Sequence, residues 1–127
     1  SDADLPRALN RLQANRPDVL YVVFEGGTVA TNGTLIAEFG VRHRVPVVSG
    51  WRNLTEAGGL ISYAPDIPAM FRRSASYVDR ILRGAKPSEL PVEQATTVEL
   101  VINARTARAL GVTIPREILL RADRVIE

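Results

Sequence analysis

At 127 residues the chain has the length of one domain, and its 46% hydrophobic and 24% charged residues are those of an ordinary globular protein. Sixteen basic against fourteen acidic side chains leave a net charge of only +2, and the arginines are scattered among acids with Arg72-Arg73 as the densest pair, which excludes the one-sided basic footprint of a nucleic-acid binder. The absence of cysteine removes disulfides, thiolate metal sites and cysteine nucleophiles, and no apolar run approaches the roughly 20 residues of a membrane span. The polar, acidic opening Ser1-Asp2-Ala3-Asp4 does not read as a signal peptide.

Leu5, Ala8, Leu9 and Leu12 fall at helical spacing behind Asp4, a plausible N-cap, and Arg16-Pro17 ends that first helix. DVLYVVFE (18–25) follows as a nearly continuous apolar run, the pattern of a strand covered on both faces. A glycine-rich loop leads to a second helix over about 33–43, with Leu35, Ile36 and Phe39 on its buried stripe. Pro46-Val47-Val48 then starts a short strand, so that strand, loop, helix and strand make a parallel crossover unit. Trp51 to Ala57 reads as a short helix and GLISY (59–63) as the next strand, stopped by Ala64-Pro65. Asp66 caps the clearest helix of all, in which Met70, Phe71, Ser74, Ala75, Val78, Ile81 and Leu82 recur at three and four, with Gly84 as its stop. KPSELPVEQAT (86–96) has two prolines and no stripe, and is read as an extended surface connection. TVELVIN (97–103) alternates, as a strand with one solvated face or at an edge does. Asn103 caps a short helix closed by Gly111, and Pro115 opens a last helical turn around Ile118–Leu120. The pattern is α/β, with helices between parallel strands.

In such a sheet, ligands sit beyond the carboxyl ends of the strands. Three segments occupy those positions: Glu25-Gly26-Gly27-Thr28 with Thr31 and Asn32, then Ser49-Gly50-Trp51, then Ser62-Tyr63-Ala64-Pro65, the last strand being entered through Gly58-Gly59. They supply small residues for close approach, hydroxyl and amide groups, and two aromatics, which is the inventory of a small-molecule cleft. The same residue types also serve as ordinary turn and cap residues. Enzymatic motifs are missing. GTVATNG lacks the Lys-Ser/Thr ending of a phosphate-binding P-loop and the GxGxxG of a dinucleotide site, and there is no GxSxG or HExxH. The sole histidine, His43, stands at a helix end between Arg42 and Arg44, as a solvated cation does. Glu25 and Glu56 could converge at the rim as a carboxylate pair, but nothing in their spacing requires it, and holding a ligand's ammonium is an equal role for them.

Three stretches carry a more specific signal: GGLISYAP (58–65), YVDRILRGAKPSELPVEQ (77–94) and the ending VINARTARALGVTIPREILLRADRVIE (101–127). Over nearly the whole chain from about Pro17 onward, the sequence resembles the C-terminal part of a bacterial ABC-transporter solute-binding protein of the type I periplasmic-binding-protein fold, related to the tryptophan- and tyrosine-type receptors. The resemblance implies a three-layer, Rossmann-like α/β sandwich with a mainly parallel sheet, with residues 1–127 forming a single lobe and hinge-like segments near 58–66 and 86–97. Most of the first lobe of such a receptor lies outside the chain. It implies a periplasmic or otherwise extracytoplasmic receptor that closes an interlobe cleft on an amino-acid-like or aromatic small molecule and delivers it to a membrane permease, without catalysis, metal or cofactor. Carried onto this sequence, the ligand-facing residues are Gly27, Thr28, Asn32, Gly50, Trp51, Gly58, Gly59, Ser62 and Tyr63, with the Gly27 and Gly59 amides offered to a carboxylate. Apolar surface left uncovered by a missing lobe argues for a homodimer of the chain. Two other classes share the fold: the effector-sensing domain of a transcription regulator, and a small α/β enzyme acting through Glu25 or Glu56.

Overall fold

The computed structural model describes residues 4–15, 17–23, 26–94 and 97–127, with the backbone alone for 26 and 28–30. The helix α1 (Leu5–Asn15) leads into β1 (Leu20–Val22), α2 (Gly26–His43), β2 (Val47–Ser49), α3 (Arg52–Glu56) and β3 (Ile61–Pro65). These are two consecutive parallel crossovers: Leu20, Tyr21 and Val22 pair with Val47, Val48 and Ser49, and Val48 and Ser49 pair with Ile61 and Ser62. The chain continues through α4 (Ile67–Leu82), a 3₁₀ turn at Pro87–Glu89, β4 (Val98–Asn103), α5 (Ala104–Leu110), α6 (Arg116–Arg121) and β5 (Arg124–Ile126). The five strands lie in sequence order in one sheet. Asn103 N–H donates to Leu60 O at 2.9 Å and Asp66 N–H to Thr97 O at 3.1 Å, so β4 runs against β3, whereas β5 is parallel to β4. The fold is the α/β architecture with a mainly parallel sheet that the sequence implies.

The chain forms two compact units, Ser1–Ala64 with Glu99–Glu127, and Pro65–Val98. In the first, Ile36 of α2, Val47 of β2 and Leu54 of α3 make the centre of the core, with Leu5, Leu20 and Val22 packed against it. Full burial of a side chain such as Leu54 is worth about 1.5–3 kcal/mol. All of these strand residues point to one sheet face, because Leu20, Val22, Val47, Ser49 and Ser62 share a side in the parallel register.

The Gly58-Gly59 pair is explained by the turn from α3 into β3. Gly58 has φ +122°, its N–H donates to Thr55 O, and Gly59 N–H donates to Leu54 O at 2.8 Å. A side chain on Gly59 would stand 2.9 Å from the Leu54 carbonyl oxygen, so the pair is fixed by backbone meeting backbone.

Several local expectations are corrected. The helix expected over about 33–43 is present, but α2 also includes a helical segment from Gly26, joined to it across a kink at Asn32 (φ −111°, ψ 17°), where a loop is expected. Within it, Ile36 and Phe39 are buried but Leu35 is exposed. The strand expected over 18–25 is three residues long, and Val19, Tyr21 and Val23 face outward, so β1 is not covered on both faces. A continuous apolar run cannot say which neighbours are present to cover it. Strand β3 continues through Pro65 before α4 starts. Strand β4 is interior, between β3 and β5, with Val101, Ile102 and Asn103 all buried, so neither an edge position nor a solvated face applies at that end.

The second unit is built on α4. Asp66 caps it through Ala69 N–H at 2.9 Å, and the chain turns out of it at Arg83-Gly84 as expected. The apolar stripe is present but no α4 residue is buried: Phe71 is 73% and Leu82 81% exposed. The segment after the 3₁₀ turn lies along another side of the helix, where Tyr77 O–H donates to Pro91 O at 2.8 Å and Arg73 pairs with Glu93. A groove of about 450 Å³ between them is lined by Met70, Tyr77, Ile81, Leu90 and Val92 among others.

Candidate functional site

Strands β1, β2 and β3 run the same way, so their carboxyl ends share one edge of the sheet. The Ser49–Ser62 pairing sets Gly50 level with Tyr63, about 4.8 Å away on the neighbouring strand. Tyr63 shares a face with Ile61, Val48 and Tyr21, because those three are paired across the sheet and side chains alternate along a strand. A methyl group placed on Gly50 would stand 3.8 Å from Tyr21 Oη and, its chain neighbours aside, meets no other described atom within 4 Å. Gly50 is therefore a notch in the wall, with the ring of Tyr21 (61% exposed) on one side and Tyr63 (67% exposed) on the other.

The loop holding Trp51 is shaped by Ser49. Its Oγ donates to Trp51 O at 2.8 Å and accepts from Trp51 N–H at 3.2 Å, closing a side-chain turn around Gly50. Trp51 leaves this turn half-buried in extended conformation and α3 starts at the next residue. At the end of β1 the first turn of α2 contains Gly27, exposed, whose carbonyl accepts from Thr31 O–H at 2.8 Å. First-turn amides of a helix have no intrahelical partner, so this end presents N–H donors. Asn32 is half-buried at the kink. The Thr28 side chain and Glu25 lie outside the described residues.

The edge thus brings together Gly27, Gly50, Trp51 and Tyr63. It does not bring in Gly58 and Gly59, which enter β3 at the opposite end of that strand, and the Gly59 amide is engaged by Leu54 O instead of being open to a carboxylate. Ser62 is 1% exposed and points to the core face, opposite to Tyr63. Its Oγ makes no hydrogen bond among the described residues. Two residues at this edge carry no signal in the sequence pattern. Tyr21 hides inside an apolar run, and only strand pairing shows that its hydroxyl reaches Gly50. Arg52 reads as one more helix-surface arginine, yet its Nη1 donates to Glu99 Oε2 at 3.2 Å, 47 residues away.

Glu56 is taken up by ion pairs, 2.6 Å from Arg124 Nη1 and 3.5 Å from Arg52 Nε, so it does not stand as a bare carboxylate at the rim. His43 stacks beside Phe39 with ring centroids 4.5 Å apart at the end of α2. Among the described residues no group of three or more His, Asp or Glu side chains could hold a metal ion. No described helix is long and apolar enough to cross a membrane.

A family model described as ABC transporter substrate binding protein matches residues 1–126. Among solved structures, the chain is similar to a conserved domain protein from Vibrio cholerae O1 biovar El Tor, with a TM-score of 0.87 and 30% identity over 98% of this chain and 42% of that one. It is similar to the ABC domain in complex with L-Trp from Streptococcus pneumonia, with a TM-score of 0.86 and 26% identity over 99% of this chain and 43% of that one. A ligand-free, open substrate binding protein with adhesive properties from Clostridium difficile shares the fold, at a TM-score of 0.71 and 20% identity over 99% of this chain and 41% of that one. The chain spans less than half the length of each of these. No curated protein sequence matches it.

Proposed function

Because the chain belongs to the ABC transporter substrate binding protein family, we propose that it supplies one wall of an interlobe cleft in an extracytoplasmic receptor, which closes on an aromatic amino acid and delivers it to a membrane permease. The observation that carries this reading is that Gly50 stands level with Tyr63 at the strand ends while the Tyr21 hydroxyl, two residues back on β1 and on the same sheet face, reaches it, with Trp51 beside it. Two exposed phenol rings flanking a residue without a side chain suit a flat ring, because aromatic pairs gain about 0.5–1.5 kcal/mol beyond the area they bury. The similar ABC domain in complex with L-Trp supports the ligand class. Ligand-facing roles are proposed for Gly27, Thr28, Asn32, Gly50, Trp51 and Tyr63. The chain leaves the first compact unit after Ala64 and re-enters it at Glu99, and these passages are the proposed hinge crossings. Binding by closure needs no catalytic group. No observation favours the enzyme or the transcription-regulator reading. Self-association would use the exposed stripe of α4, with Phe71 and Leu82 at its two ends.

The test is calorimetric titration of the two-lobed receptor with L-tryptophan, L-tyrosine and L-phenylalanine. Saturable binding of at least one, weakened roughly tenfold or more by Tyr63→Ala, is expected, since truncating a buried aromatic anchor costs on the order of 1.4 kcal/mol or more. The absence of binding by all three at millimolar concentration overturns the aromatic ligand.

A further inference from the structure

Helix α3 starts with Arg52, one residue beyond Trp51, so the backbone of Arg52 stands at the carboxyl edge of the sheet. The bond from Nη1 to Glu99 Oε2 holds the guanidinium near that edge, because Asn103 beside Leu60 and Thr97 beside Asp66 set Glu99 level with Ala64, close to the carboxyl end of β3. Arg52 belongs to a chain of four charges, Glu99–Arg52–Glu56–Arg124, with gaps of 3.2, 3.5 and 2.6 Å. Charges balance within it: Arg124 answers Glu56, and Glu99 answers Arg52. Geometry does not balance as well. Arg52 Nε is shielded from solvent and makes no hydrogen bond among the described residues, standing 3.5 Å from Glu56, while Nη1 carries the bond to Glu99. About a third of the side chain remains exposed.

Resting on the amino-acid reading above, we propose that Arg52 receives the ligand's carboxylate, with Glu99 as the positioning residue that holds the guanidinium at the edge. A planar guanidinium takes a carboxylate bidentately through neighbouring N–H groups, and an end-on pair from Nη1 and Nη2 leaves the Glu99 bond in place. Trp51, next to Arg52 in the chain, then receives the ring, which reaches over the sheet edge toward the Tyr21–Gly50–Tyr63 notch on the face opposite Glu99, so that one edge recognises both halves of an aromatic amino acid. The carboxylate site moves from the Gly59 amide, which Leu54 O occupies, to a side chain that the fold has already placed.

The experiment compares three indoles on the two-lobed receptor: L-tryptophan, indole-3-propionate without the ammonium, and tryptamine without the carboxylate. Tryptamine is expected to bind at least roughly tenfold more weakly than L-tryptophan. Arg52→Met weakens L-tryptophan and indole-3-propionate by about 10- to 100-fold and leaves tryptamine unchanged. Arg52→Lys keeps the charge and the ion chain, and so the fold, but loses the planar fork and weakens the same two probes alone. Equal losses for all three probes in both variants overturn the proposal and mark the ion chain as structural; so does tryptamine binding as tightly as L-tryptophan. If no indole binds, the aromatic reading falls separately. The comparison is then made with L-leucine, 4-methylpentanoate and isopentylamine, and lack of binding by the two carboxylates overturns the Arg52 role as well.

Discussion

Asn103 Nδ2 donates to the Thr55 carbonyl at 3.0 Å, joining the end of β4 to the end of α3 across 48 residues of sequence. The other side of the same amide, Oδ1, accepts from Thr106 N–H at 3.0 Å and caps α5, while Thr106 O–H donates to Gly58 O at 2.9 Å. One buried side chain therefore satisfies a helix start and clamps the α3–β3 turn. Removing it strands the Thr106 amide and takes one of two donors from the Thr55 carbonyl, which keeps the Gly58 N–H.

Asn103→Ala is accordingly expected to destabilise the chain by about 1–3 kcal/mol, from a lost cap with its stranded amide and one lost hydrogen bond to the Thr55 carbonyl. Asn103→Asp keeps the cap to Thr106 but cannot donate to Thr55 and buries a charge, so it is no better at neutral pH. Urea unfolding followed by circular dichroism reads this as a lower midpoint at unchanged slope. A midpoint within error of the parent's would show that the clamp contributes nothing.

Gly40 in α2 faces β2 so closely that a methyl group there would stand 2.4 Å from Val47 Cγ2 and 2.8 Å from Val45 O. Alanine gains about 1 kcal/mol of helix propensity over glycine in a helix interior. Overpacking costs about 1–3 kcal/mol, and the carbonyl oxygen cannot rotate away. The net expectation for Gly40→Ala is a lower thermal midpoint. Combined with Val47→Ala, which removes the clashing methyl, the loss should be less than the sum of the two single losses. Additive losses would locate the cost elsewhere.

How much of this could be read from the sequence depended on where the deciding neighbour lay. The Asp66 cap, the Gly84 and Gly111 stops and the parallel crossovers are local signals, and they hold because capping and turn chemistry involve residues a few positions apart. The exposure of Tyr21 and of the α4 stripe was not legible, since periodicity reports that a face is apolar and not what covers it. Gly58 and Gly59 looked like ligand contacts, but their carbonyl partners are Thr55 and Leu54, a turn whose tightness shows only in the backbone. Arg52 and Glu99 meet across 47 residues, and no pattern in either segment predicts that.

The tie between Arg73 and Glu93 sets a pH range for the second unit. The hydrogen bond from Arg73 holds the Glu93 carboxyl below its usual value of 4.5, with the positive charge of Arg73 acting in the same direction against partial desolvation. A carboxylate whose folded value is depressed stabilises the folded form fully above its ordinary range and loses that contribution as pH falls through the depressed value. The contact between 87–94 and α4 should then be unchanged from neutral pH down to about 5 and loosen only below the ordinary carboxylate range. Carboxyl-carbon NMR titration of Glu93 should give a midpoint below 4.5 in the parent and a return toward it in Arg73→Gln. Identical midpoints would dismiss the tie. The Tyr77 hydroxyl, raised mainly by desolvation and then by the Glu93 charge, stays protonated throughout this range and keeps its bond to Pro91 O.

Gly50 allows the binding wall to be altered without altering the fold. It is not among the glycines with positive φ, and an added methyl would make only an ordinary contact, 3.8 Å from Tyr21 Oη. Gly50→Ala should therefore leave the unfolding free energy within about 0.5 kcal/mol of the parent's, as a substitution without strain does. The same methyl projects into the notch between Tyr21 and Tyr63, where the ring of the ligand is proposed to lie. Filling that space excludes the ring or pushes it out of contact, so affinity for the aromatic ligand should fall by about tenfold or more. Thermal unfolding and calorimetry on the same sample separate the two effects. Unchanged stability with unchanged affinity would mean that ligand does not touch this part of the sheet edge, whereas a loss of stability would mean that Gly50 is required by the Ser49–Trp51 turn itself.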